Sequence, residues 1–155
     1  MCGIIGIASN KPVSMNIINS LKILEYRVYD SAGLATLDKD EISEKKCSGR
    51  VEELEKILFK SPSNGHLGIG HVRWATHGVP NILNAHPHSS EIVSVVHNGI
   101  IENSDELKKD LEAQGFKFKS QTDTEVITVL VTQFLENSKP DHGKVIAQAS
   151  THLCR

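Results

Sequence analysis

Residues 1–8 read MCGIIGIA, and the fold turns on how this stretch is understood. From Gly3 onward the run is short, apolar and rich in β-branched isoleucine, the composition of a buried strand. At its head stands Cys2, directly behind the initiator methionine. If Met1 is removed, Cys2 becomes the first residue and carries a free α-amine beside its thiol. The thiolate is the attacking form of cysteine, and a free thiol ionises near pH 8.5, so a positioned base is needed at neutral pH. An N-terminal amine titrates at about 7.7 to 8.0, close to where general-base work is most efficient. One residue can therefore supply nucleophile and base together. The plainer reading is a small, weakly hydrophobic residue opening a buried strand, and only the rest of the chain decides between the two.

Outward from that strand the pattern is mixed α and β. Pro12 can open a helix whose Ile17, Ile18, Leu21 and Leu24 share one face. Residues 32–38 (AGLATLD) read as a second strand, 50–60 (RVEELEKILFK) as a helix, and 66–74 (HLGIGHVRW) as a strand weakened by its glycines. Residues 77–91 read as loop, and 92–99 (IVSVVHNG) as a strong strand running into a turn. Asn103 with Glu106, and Thr122 with Glu125, have the spacing of capping boxes, the first for a helix ending at Gly115. Between them FKFKS, 116–120, alternates like a half-buried strand. Val126, Ile127, Leu130, Val131, Phe134 and Leu135 make an apolar helical stripe. After Asn137 the pattern weakens, with one short apolar piece.

At 155 residues, 39% hydrophobic and 23% charged, the chain suits one globular domain. A formal net charge of -2 and the lack of any basic cluster interleaved with aromatics argue against nucleic acid as a partner. No run approaches the roughly 18 apolar residues of a spanning helix, and the start lacks a signal peptide's pattern, so a cytoplasmic protein with no membrane partner is expected. Cys2, Cys47 and Cys154 are an odd set without metal-type spacing, which points to free thiols.

Three downstream stretches gather polar groups at strand ends or loops. HVRWATHG, 71–78, places Arg73, Trp74, Thr76 and His77 together, and an arginine there can hold a carboxylate by paired hydrogen bonds. It can equally be a surface arginine beside a core tryptophan. VVHNGIIEN, 95–103, offers the Asn98 side-chain amide and the Gly99 N–H as a pair of oxyanion donors, though a plain Asn-Gly hairpin turn is the commoner use of that dipeptide. SQTDTEVI, 120–127, puts Asp123 at a helix start, able to pair with a substrate ammonium or merely to complement the helix dipole. A thiol, two oxyanion donors, a carboxylate clamp and an ammonium clamp are the parts needed to hold an α-amino acid while attacking its side-chain carbonyl.

The stretches MCGIIGI, LEYRVYDSAGLA, HVRWATHG, NAHPH, VVHNGIIEN and TDTEVI resemble the glutaminase domain of the glutamine:fructose-6-phosphate amidotransferase family, also called glucosamine-6-phosphate synthases, within the class II glutamine amidotransferases. The resemblance covers about residues 2 to 137. It implies an α+β fold, the N-terminal nucleophile hydrolase αββα sandwich of two antiparallel sheets, here incomplete at the C-terminus. Carried onto this sequence, it implies Cys2 as nucleophile and, through its freed α-amine, base. Asn98 and Gly99 would form the oxyanion hole, Arg73 would bind the α-carboxylate of L-glutamine and Asp123 its α-ammonium. Trp74, Thr76 and His77 would line the pocket, and Arg27 would pack near the nucleophile. The substrate would be L-glutamine, hydrolysed to glutamate and ammonia, with no cofactor and no metal. The ammonia would serve glucosamine-6-phosphate synthesis from fructose 6-phosphate in sugar isomerase domains that residues 1–155 lack, and association of two copies is implied for the full enzyme.

Two departures stand against the family pattern. Its loop carries glycine where this chain has Val28, and a β-branched residue is strongly disfavoured if that backbone needs positive φ. Its glutaminase domain also continues through further strands, so a single partial domain of marginal stability is expected, and an inactive remnant that keeps the motifs is the rival to a working glutaminase. His71, His77, His86, His88 and His97 raise the alternative of a metal centre, but they form neither HExxH nor CxxC spacing.

Overall fold

The computed structural model describes residues 2–27, 30–74, 79, 81–137 and 145–150, and every structural statement below is made of these. The apolar run after Cys2 forms β1 (Gly3–Ala8), and helix α1 (Ser14–Leu24) follows just past Pro12. A 3₁₀ turn, Glu25–Arg27, ends that first unit. Strands β2 (Ser31–Asp38) and β3 (Glu41–Ser48) make a hairpin whose two turn residues, Lys39 and Asp40, both have positive φ, as a tight type I′ connection requires. Then come α2 (Val51–Lys60), β4 (Leu67–Arg73), the two-residue β5 (His88–Ser89) and β6 (Val93–Asn98). Helices α3 (Ser104–Ala113) and α4 (Thr124–Asn137) and strand β7 (Val145–Ser150) complete the described residues.

The strands form two sheets. One has the order β1-β4-β2-β3 and is antiparallel throughout; the other has the order β5-β6-β7. On the outer face of the first sheet α1 and α2 bury Val13, Ile17, Ile18, Leu21, Val51, Leu54 and Leu58 against Ala32, Leu34 and Val72. Each fully buried aliphatic side chain contributes about 1.5–3 kcal/mol, so this layer is a main source of stability. The glycines expected to weaken β4 serve this packing instead. A Cβ at Gly68 or Gly70 would overlap Ile17, so their bare backbone lets α1 lie close on the central strand. On the inner face Ala35, Ile69 and Val96 join the two sheets, and α4 covers the outer face of β5 and β6. The layer order is helix, sheet, sheet, helix, the expected αββα sandwich.

Alternation along the strands decides what reaches the space between the sheets. On β4 Val72 packs toward the helices, so Ile69, His71 and Arg73 face inward. On β6 Val96 packs inward, and Asn98 two residues on shares its face. Both strands thus carry polar side chains inward at the same end of the sandwich.

Several local expectations are corrected. The pairing of β6 with β7 is parallel, Val93 opposite Val145, so the second sheet is antiparallel only at β5–β6. Strand β3 went unforeseen because EISEKKCS is an edge strand, mostly polar and half-exposed. Residues 116–120 do alternate in burial but pair with no strand: the N–H groups of Lys119 and Ser120 are taken by the Glu125 carboxylate at 2.7–3.1 Å. Glu125 is therefore spent there and not in a capping box with Thr122, whose Oγ1 bonds His88 Nε2 at 2.8 Å. Asn103 precedes α3 without a side-chain cap hydrogen bond, whereas Gly115 does end it, at φ +96° with the Phe116 N–H reaching Leu111 O at 3.1 Å. Of the stripe on α4, only Val126 is fully buried, and Phe134 is exposed. Val28 lies outside the described residues.

Candidate active site

Cys2 leads into β1, and because Gly3 pairs with Val72, the cysteine lies beside the end of β4. The Trp74 N–H donates to Cys2 Sγ at 3.2 Å, and Sγ lies 3.7 Å from the Trp74 carbonyl oxygen. The Trp74 side chain is 51% exposed, so this residue approaches the thiol through its backbone.

Arg73, one residue earlier, is buried. Burial pulls its guanidinium below the ordinary arginine value, and the negative charges of Cys2, Asp30 and Asp123 act in the opposite sense. Asp123 stands immediately before α4. Its Oδ2 accepts the Ile101 N–H at 2.8 Å, which pins the carboxylate to the segment after β6, while its Oδ1 accepts from the Thr124 hydroxyl at the start of its own helix at 3.4 Å.

Asn98 ends β6. Its Nδ2 donates to the Cys2 carbonyl at 3.3 Å and its Oδ1 lies 2.9 Å from His71 Nε2. The chain then passes through Gly99 toward α3, so Asn98–Gly99 is not the two-residue turn of a hairpin. Cys2, Arg73, Trp74, Asn98, Gly99 and Asp123 all border one cavity of about 50 Å³. A neighbouring cavity of about 250 Å³ shares Thr122 and Asp123 with it and runs along the start of α3.

Of the remaining expected site residues, Thr76 and His77 lie outside the described residues, and Arg27 is described only by its backbone, at the end of the 3₁₀ turn. Other residues on the cavity wall went unassigned in the sequence: His71, His86, His97, Thr122 and Thr124. The signal for His71 was present, since it sits two residues before Arg73 on one strand and must share its face.

These histidines, with His88, form a buried group. The rings of His71 and His86 are 4.3 Å apart, and those of His86 and His88 4.8 Å. Burial lowers all of them: His71 to about 4, His88 to about 3, His86 well below the ordinary value, and His97 in the same direction. They are neutral near pH 7 and act as hydrogen-bonding walls. Among the described residues no group of histidine, cysteine, aspartate or glutamate has metal-holding geometry. No helix among them is long and apolar enough to cross a membrane.

Known proteins similar to this chain include glutamine amidotransferases. The family described as a glutamine amidotransferase domain matches residues 82–147, past the point where the family wording was expected to stop. A glutamine–fructose-6-phosphate aminotransferase (isomerizing) of Bradyrhizobium diazoefficiens is 54% identical over 137 residues, covering 88% of this chain and 22% of the relative. The protein of that name in Clostridium acetobutylicum is 52% identical over 143 residues, 91% of this chain and 24% of the relative. Among solved structures, glutamine phosphoribosylpyrophosphate amidotransferase of B. subtilis, complexed with ADP and GMP, superposes with a TM-score of 0.71 at 27% identity, over 92% of this chain and 30% of that one. The chain thus spans about a quarter or less of the length of these curated relatives.

Proposed function

Since the chain belongs to the glutamine amidotransferases, we propose that it hydrolyses the side-chain amide of L-glutamine to glutamate and ammonia with Cys2 as nucleophile. The observation that carries this reading is the meeting of a thiol, an amide donor pair, a guanidinium and a carboxylate around one cavity, from four separate stretches of chain. A set this dispersed in sequence is hard to explain as shared packing alone.

In this mechanism removal of Met1 frees the Cys2 α-amine, which takes the thiol proton, directly or through a water. Sγ attacks the glutamine side-chain carbonyl carbon, and the carbonyl oxygen becomes an oxyanion held by Asn98 Nδ2–H and the Gly99 N–H. The C–N bond breaks, the amine returns its proton to the leaving nitrogen, and ammonia departs. Water then cleaves the thioester to release glutamate and restore the thiol. Arg73 pairs with the substrate α-carboxylate and Asp123 with its α-ammonium, and Trp74 adds to the pocket wall.

The activity named for these relatives supports a wider role, in which residues 1–155 are part of one glutamine amidotransferase domain. Its ammonia aminates fructose 6-phosphate in sugar isomerase domains of a longer protein, and two copies of that protein associate. The decisive experiment measures glutamate release from glutamine by the purified chain after mass spectrometry confirms loss of Met1, beside a Cys2→Ala control. Release that depends on Cys2, together with covalent capture of Cys2 by a glutamine-like electrophile, is the expected result. Neither release nor capture would sink the reading and leave the rival of an inactive remnant.

A further inference from the structure

Resting on the glutaminase reading, we propose that His71 is a positioning residue, donating from Nε2 to Asn98 Oδ1 and so fixing the Asn98 amide with its N–H end toward the attacked carbonyl. An asparagine amide has two ends of similar size and opposite chemistry, one accepting and one donating twice. As an oxyanion donor it must present nitrogen; turned over, it would set a lone pair against the developing negative charge. The terminal amide torsion has only a broad preference of its own, so something outside Asn98 must choose the sense.

Two contacts make that choice. A carbonyl oxygen can only accept, so the partner of the Cys2 carbonyl at 3.3 Å is the nitrogen, and the other N–H of Nδ2 remains for substrate. The oxygen then faces His71 Nε2 at 2.9 Å, and that contact is a hydrogen bond only if Nε2 carries the proton. His71 must therefore be the Nε2–H tautomer with Nδ1 bare, and Nδ1 has no hydrogen-bond partner among the described residues.

The surroundings hold this arrangement. His71 is 1% exposed, with the His86 ring packed against it at a tilt of 42°, centroids 4.3 Å apart, so its imidazole has little room to swing. Burial above all, and then the Arg73 charge, keep the imidazole neutral against the opposite pull of its contacts with Asn98 and the His97 backbone. Since the bond reaches substrate only through Asn98, its loss should slow the chemical step and leave ground-state glutamine binding nearly unchanged.

The test combines kinetics with a tautomer measurement on the whole chain. In glutamine hydrolysis His71→Leu should lower kcat about 100-fold, the order seen for loss of an oxyanion donor, with KM within about twofold. His71→Gln, whose amide N–H can reach Asn98 Oδ1, should recover most of the loss. Nitrogen-15 NMR of the wild-type chain should show His71 protonated at Nε2, with Nδ1 in the range of a bare imidazole nitrogen. A folded His71→Leu protein with unchanged kcat would overturn the proposal, and so would an Nδ1–H tautomer. If His71→Leu does not fold, His71→Gln and the tautomer decide. If the wild-type chain releases no glutamate, it is the functional reading that fails, while the tautomer still supports or overturns the His71–Asn98 contact.

Discussion

The Trp74 N–H meets Cys2 Sγ across 3.2 Å, and the thiol is thereby tied to the end of the strand that carries Arg73 and His71. This contact uses backbone and tolerates any side chain at position 74, so it orients the sulfur but cannot deprotonate it. The base in the proposed mechanism is the Cys2 α-amine, which exists only once Met1 is gone. A form that retains Met1 should fold normally and release no glutamate. Intact mass and a glutamate assay on the same sample check this, and equal release with Met1 verified in place would discard the α-amine as base.

Arg73 and Asp123 should make the pocket demand both α-groups of glutamine. Removing either leaves a substrate charge unpaired in a partly desolvated site, at a cost on the order of 2 to 4 kcal/mol in transition-state binding. Arg73→Ala and Asp123→Ala should each lower kcat/KM accordingly. For the parent, glutamine analogues lacking the α-carboxylate or the α-amine should be correspondingly poor substrates. Unaltered kcat/KM in Arg73→Ala would show the carboxylate clamp to be misassigned.

Much of this architecture was legible because hydrophobic periodicity and chemistry coincide. Ile17, Ile18 and Leu21 announced α1, the valines of β6 announced a buried strand, and Cys2, Arg73, Asn98 and Asp123 stood out by residue type at element ends. What escaped is decided by contacts distant in sequence. Strand β3 is polar because it lies at a sheet edge, and only its ladder with β2 makes it a strand. The Glu125 carboxylate had two local uses open to it, and the path of residues 119–120 chose between them. His71 read only as one of five histidines of an unsupported metal centre, because its partner, Asn98, lies 27 positions away.

Gly33 offers a test of how the wall behind the site is held. It faces the space between the sheets, where a Cβ would overlap the His86 carbonyl oxygen and crowd Lys46. Gly33→Ala should push the segment carrying His86 away from β2, at about 1–3 kcal/mol as for other overpacked sites. It should lower glutamate release too, since the His86 ring packs against His71. Gly49→Ala is the control: nothing lies near its Cβ, but φ is +86°, so a stability loss of about 1 kcal/mol without loss of activity is expected. Urea unfolding and glutamate release on the two variants check both halves, and equal effects on activity would refute the wall argument.

The buried histidines predict an acid-sensitive fold. An unfolded histidine takes up its proton near pH 6.5, whereas folded His71 does so only near 4 and His88 near 3, and burial depresses His86 and His97 as well. Between pH 6.5 and 4 the unfolded chain therefore binds more protons than the folded one, so stability increases with pH across that window and is lost on acidification. His71 alone accounts for roughly 2 kcal/mol of that loss by pH 5, and His88 for a similar amount. Together, at about 4 kcal/mol, they approach the lower end of the net stability of about 5–15 kcal/mol of an ordinary domain. The part of the window from pH 6.5 to 5 lies above the usual carboxylate range of about 3.9 to 4.3, which separates this effect from ordinary acid denaturation. Urea midpoints should hold steady from pH 8 to 7 and decline from pH 6.5 to 5. His71→Gln, which has no proton to gain, should flatten that decline by the share His71 contributes. A midpoint unchanged between pH 7 and 5 would mean that these imidazoles gain protons as readily in the folded chain as in the unfolded one, and that the wall of the site is wetter than its geometry implies.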